Sequence, residues 1–165
     1  MDAIITHLRV WPTWQKLERI VVSVVHEDSA TGTRSVVHED SATGTRADDF
    51  LQTLAKCLGR NCEISKELWL LTELRTPKLR AIAAGEAAAA DLIIISVHHA
   101  ESLPREVDRW IDLWLKQKGR RPTVLLALFD ALYLGTSSPM QTVLEGVARK
   151  GNLEFLACAE EKLEE

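Results

Sequence analysis

The chain is poor in the groups that staple small or specialised proteins. It has three cysteines, Cys57, Cys62 and Cys158, an odd number with no C-x-x-C pair. Neither a disulfide framework nor a zinc site of ordinary ligand spacing is indicated. Cys57 falls in a helical pattern and Cys158 in a strand-like one, where a small buried thiol is the ordinary outcome. A basic excess is also missing, since 20 Lys and Arg face 24 Asp and Glu, a formal net charge of −4. Nucleic-acid binding draws most of its affinity from phosphate neutralisation, so no nucleic-acid partner is expected. The short basic runs at Lys116 to Arg121 and Arg149-Lys150 read as solvated helix ends, where cations complement the dipole. The longest apolar stretches, Ala87 to Ser96 and Thr123 to Phe129, are too short or too interrupted to span a bilayer. No basic start followed by an apolar run and a small-residue cleavage site opens the chain. The expected location is a reducing cytoplasm, with no membrane partner. A Walker loop, a G-x-S-x-G elbow and an H-E-x-x-H helix are all lacking.

What is present is unusual. Ser23 to Arg34 reads SVVHEDSATGTR, and Ser35 to Arg46 repeats it without a mismatch. Setting one copy aside leaves 165 − 12 = 153 distinct residues, the size of one compact domain. Such a chain can bury a substantial core unaided. Apolar residues make up 46% and charged residues 27%, which excludes a collagen-like, coiled-coil or wholly disordered chain.

Periodicity places the elements. Trp11, Pro12 and Trp14 suggest a packed N-terminal arm or short strand. Ile20 to Val25 is a β-branched run and reads as a buried strand. Ala47, Phe50, Leu51, Leu54 and Leu58 recur at helical spacing, with Gly59 as the stop. Cys62 to Leu71 reads as a second strand. Pro77 suits the first turn of a helix that runs into an alanine-rich stretch to Ala90. Asp91 to Val97 reads as a third strand. Pro104 opens a helix with Val107, Trp110, Ile111 and Trp114 on one face, ended by Gly119. Thr123 to Phe129 is a fourth strand. Ser137, Ser138 and Pro139 start a helix ended by Gly151, and Leu153 to Cys158 is a fifth strand.

Alternating strands and helices with short connections specify a parallel sheet covered on both faces. The expected fold class is a three-layer α/β/α sandwich with a five-stranded parallel sheet, formed by residues 19–160 as one domain. Residues 1–18 would be an N-terminal arm and residues 161–165 a C-terminal tail.

The stretch from Ala87 to Asp130, with an alanine-rich helix end, an Asp, an apolar strand, a loop and a helix carrying an Asp after an aromatic, resembles the flavodoxin-like proteins, including the NAD(P)H-dependent FMN reductases. The resemblance in element order covers Ile20 to Cys158. It implies a flavodoxin-like fold with ligand loops at the carboxyl ends of the strands. Flavodoxins hold the FMN phosphate with a loop of the form Ser/Thr-x-Thr-Gly-x-Thr. Ser41, Thr43 and Gly44 match that form, as do Ser29, Thr31 and Gly32; Thr45 follows, and Arg46 or Arg34 replaces the last Thr. Hydroxyls and backbone N–H groups at a helix N-terminus suit an anion, and an arginine can bind phosphate. The resemblance also places His98 and His99, in the loop to Leu103, and Tyr133, in the loop Ala131 to Pro139, around the flavin ring.

Structural readings of the same residues stay open. Asp40 or Ser41 is a good helix N-cap whatever else the segment does. Two adjacent histidines without a spaced carboxylate or cysteine do not make a metal site, so none is expected. Trp110 and Trp114 suit core packing or a dimer surface better than cofactor stacking. An FMN-binding redox protein, a flavin-dependent reductase, and a cofactor-free module acting through a homodimer or partner surface are therefore all compatible. A hydrolase or transferase using His98 or His99 is a further option, although the sequence pairs no nucleophile with either.

The repeat poses a choice of register, because either copy can supply the first strand. Choosing the second puts Thr31, Gly32, Thr33 and Arg34 in place of Arg19, Ile20, Val21 and Val22. Each buried aliphatic side chain given up costs roughly 1.5–3 kcal/mol. Lengthening a loop by a dozen residues costs only on the order of 1 kcal/mol. The first copy is expected to form the strand. The second then separates the strand end from the helix start, where a phosphate loop would have to close.

Overall fold

The computed structural model describes residues 4, 8, 19–26, 42–58, 63–97, 104–119, 122–130 and 139–160. Strand β1 is Arg19–His26, followed by helix α1 (Ala42–Leu58), β2 (Glu63–Leu70), a 3-10 turn (Leu71–Arg75), α2 (Pro77–Ala88), β3 (Leu92–Ser96), α3 (Arg105–Lys118), β4 (Thr123–Asp130), α4 (Pro139–Gly151) and β5 (Leu153–Glu160). The five strands form one sheet in the order β2-β1-β3-β4-β5, all pairs parallel. This is the flavodoxin-like α/β arrangement. The elements lie where the periodicity places them, with ends moved by one or two residues, except that α1 begins at Ala42, five residues ahead of its first periodic apolar position at Ala47.

Strand alternation sorts the apolar side chains into two cores. Ile20, Val22 and Val24 of β1 join Leu92, Ile94, Val124, Leu126 and Leu128 on one face, under Ala47, Phe50, Leu51 and Leu54 of α1. Val25, Ile93, Ile95, Leu125 and Ala127 point to the other face, under Ala83, Ala84 and Ala87 of α2, Val107, Trp110, Ile111 and Trp114 of α3, and Leu144 of α4. The central strands are buried on both sides, so they read as unbroken apolar runs. The edge strand β2 exposes Lys66 and Glu67, charges of the kind that discourage edge-to-edge pairing.

Trp110 and Trp114 are fully buried and meet edge to face, with ring centroids 5.8 Å apart and an interplanar angle of 69°. They belong to the core. Ala83, Ala84 and Ala87 of α2 and the two indoles of α3 line the same core. Among the described residues, neither indole N–H finds a hydrogen-bond partner, and nor does the Oγ of buried Ser23 on β1.

The two described residues of the N-terminal segment pack on the domain as an arm would, in a helical rather than a strand conformation. Ile4 and Leu8 are helical, one turn apart, and Leu8 is fully buried in the α1-side core, with Ile4 packed beside it. These two residues supply core packing to the domain. Trp11, Pro12 and Trp14 lie outside the described residues.

Strand β1 is built on the first copy of the repeat, and α1 begins at Ala42 inside the second. The flanking residues dictate both choices. In the alternative strand register, Gly32 and Arg34 would occupy the positions of Ile20 and Val22, which are fully buried; an arginine there would be an unpaired charge in the core. Were α1 to start in the first copy, His38 and Glu39 would fall where buried Phe50 and Leu51 sit.

Candidate functional site

Strand order marks the candidate site. The chain passes from β1 out to β2, then returns across β1 to β3. The crossover connections of β1 and β3 therefore leave on opposite faces of the sheet, and their carboxyl ends bound a crevice at this switch point. Register brings four residues side by side there. His26 ends β1 between Leu70 of β2 and Ser96 of β3, and Ser96 pairs with Leu128 of β4. Val97 N–H donates to the Leu128 carbonyl at 3.0 Å, carrying the β3–β4 ladder one residue further. Ser96 is fully buried, and His98 follows it by two positions in the chain.

The carboxyl edge is framed by polar ties on the β2 side. The Leu70 amide donates to Glu73 Oε1 at 2.8 Å, which fixes the 3-10 turn directly after β2. Arg75 Nε donates to Glu106 Oε2 at 3.1 Å, joining that turn to the first turn of α3. Glu106 and Asp108 both lie in that first turn, where carboxylates favour the helix dipole. Trp69 Nε1 donates to Glu86 Oε1 at 2.6 Å and links β2 to α2.

Residues expected to hold phosphate divide into two groups. Thr43, Gly44, Thr45 and Arg46 lie in the opening residues of α1, as a helical backbone rather than a free loop. Ser41 lies outside the described residues, as do His98, His99 and Tyr133, and the copy-one residues Ser29, Thr31 and Gly32. The structure thus brings the α1 start and the ends of β1, β3 and β4 to one edge, while the loops carrying the remaining candidates start or finish at the same edge. His26 was not singled out by sequence reading. Its signal was available: it closes the apolar run of the first copy, as the last residue of a central strand.

On α1, Asp48 accepts from Lys66 of β2 and from Gln52 Nε2, the latter at 2.8 Å. The hydrogen bond from Lys66 is the main cause holding the Asp48 carboxyl below its ordinary value of 3.8; partial burial acts against it, and the Lys66 charge and Gln52 add to it. This pair braces the helix against the edge strand.

The opposite edge carries buried polar groups with a structural role. Asp91, 8% exposed, precedes β3. Its Oδ2 accepts the Val21 amide at 2.9 Å, its own amide donates to the Val21 carbonyl at 2.7 Å, and its carbonyl accepts from Val124 at 3.1 Å. One residue thereby ties β1, β3 and β4. Lys118, 7% exposed, donates from Nζ to the carbonyls of Gly151 at 2.8 Å and Gly119 at 3.3 Å, at the C-termini of α4 and α3. Its charge complements both dipoles.

Among the described residues, no group of three or more His, Cys, Asp or Glu is arranged to hold a metal ion, and no helix is long and apolar enough to cross a membrane. Comparison with family models, curated proteins and solved structures finds no match to this chain.

Proposed function

We propose that this flavodoxin-like domain binds FMN at the carboxyl edge of its sheet and acts as a redox protein or flavin-dependent reductase. The observation that carries the reading is the strand order 2-1-3-4-5, which puts the connections after β1, β3 and β4 at one switch-point edge. Ser41, Thr43, Gly44, Thr45 and Arg46 would hold the phosphate, and His98, His99 and Tyr133 would flank the ring. The donor chemistry fits the group: the first amides of a helix lack intrahelical partners and favour an anion, and Thr43 and Gly44 are the second and third residues of α1; Thr45 would contribute its hydroxyl and Arg46 its guanidinium. The flavin supplies hydride and electron transfer when bound. The chain's part is to anchor the phosphate, orient the ring and set its surroundings.

A second reading has its own support. Residues 27–41 separate the end of β1 from the start of α1, a long span for a phosphate loop that must close strand end onto helix start. It favours a cofactor-free module acting through a homodimer or partner surface. An absorbance spectrum of the purified protein, followed by titration of FMN against tryptophan fluorescence, separates the two. Flavin absorbance or saturable quenching, weakened about tenfold or more by Arg46→Ala, supports the first. A colourless protein that does not respond to FMN rejects it.

A further inference from the structure

We infer that the 12-residue unit is a spacer whose copy number sets the length of the β1–α1 connection and nothing else in the fold. Strand β1 takes the head of the first copy, Ser23 to His26, and α1 takes the tail of the second, Ala42 to Arg46. Head and tail are separated within each copy by Glu-Asp-Ser. Together the two used pieces and one Glu-Asp-Ser make one complete copy. Removing residues 23–34 and removing residues 35–46 give the same 153-residue polypeptide. That shorter chain retains RIVVSVVH for β1 and ATGTRADDF for the opening of α1, with every buried side chain of both elements unchanged. Its connection shrinks from the fifteen residues 27–41 to three. Three lies within the two to six residues usual for strand-to-helix connections of α/β units.

The assignment of head to one copy and tail to the other follows from the flanks. Only the first copy is preceded by Ile20, Val21 and Val22, and only the second is followed by Ala47, Phe50, Leu51 and Leu54. These flanking side chains fill the α1-side core. Any further copy inserted between them would leave both choices in place. The spacer reading is independent of FMN binding and stands or falls on stability alone.

Chains with one, two and three copies test it by thermal unfolding and far-UV circular dichroism. Loop closure entropy rises slowly with length, so the one-copy chain should melt about 2–6 °C above this protein, and the three-copy chain about 1–2 °C below it, with superimposable spectra. A one-copy chain that fails to fold, or melts below this protein, overturns the inference. A second pair of variants places the same substitution in identical local sequence. Val24→Asp should lower the melting temperature by on the order of 10 °C, because it buries an unpaired charge. Val36→Asp should move it by less than about 2 °C. Equal losses from the two substitutions, or a larger loss from Val36→Asp, contradict the assignment.

Discussion

The two edges of the sheet are built differently. At the amino edge the helices return to strands in short steps: residues 59–62 before β2, 89–91 before β3, 119–122 before β4 and the single residue 152 before β5. Gly119 and Asn152 turn the chain there with φ of 64° and 59°, a left-handed conformation that glycine adopts freely and asparagine tolerates. Buried Asp91 and Lys118 tie the turns to neighbouring elements. At the carboxyl edge the connections are longer: residues 27–41, 71–76, 97–104 and 131–138. Parallel α/β domains place stability at one end and ligand contacts at the other, since long loops on a fixed scaffold can vary without disturbing the sheet. The repeat fits this division. It lengthens a connection at the carboxyl edge, where extra residues are cheap, and leaves the amino edge untouched.

The division can be broken first at Asp91. Asp91→Ala leaves the Val21 amide without its carboxylate partner in the sheet, and should cost about 2–3 kcal/mol in urea unfolding. A loss below about 0.5 kcal/mol would show that the amino edge is not held by this tie. Lys118→Ala should cost about 1–2 kcal/mol by stripping the Gly151 and Gly119 carbonyls of their donor, again read by urea unfolding. The smallest effect belongs to an exposed brace. Asp48 titrates below its ordinary value in the folded state, so its pairing contributes stability above the unfolded pKa, and that contribution is lost as pH falls through the folded pKa. An exposed pair is worth no more than about 1 kcal/mol. Lys66→Met should remove that part of the acid dependence below about pH 4 and leave stability near neutrality almost unchanged; an unaltered acid limb would assign it to other groups.

The fold was largely legible because its strands are continuous apolar runs and its helices have one-sided apolar spacing. β3, with all five residues buried, and α3, with Val107, Trp110, Ile111 and Trp114 turned inward, are the clearest cases. The register of the repeat was legible too, since it follows from which flanks are apolar. What escaped was non-local. Asp91 reads as the polar first letter of a strand, yet its partner Val21 is 70 positions away. Lys118 reads as a solvated helix end, yet it is buried against the end of α4. The 3-10 turn after β2 depends on Glu73 reaching back to the Leu70 amide, a contact with no periodic signature. The burial of Leu8 in the α1-side core is a tertiary contact with no periodic signature. At the site, the edge and its loops follow from element order alone. The register that sets His26 beside Ser96 is likewise not encoded in periodicity.

The most direct test asks whether FMN binds and at which edge. Backbone amide spectra of nitrogen-15-labelled protein, recorded as FMN is added, report both edges at once. The account predicts saturable shifts at His26, Ser96, Val97 and the opening residues of α1, with Asp91, Gly119 and Asn152 unmoved. Shifts confined to the amino edge, or none at saturating FMN, would contradict it.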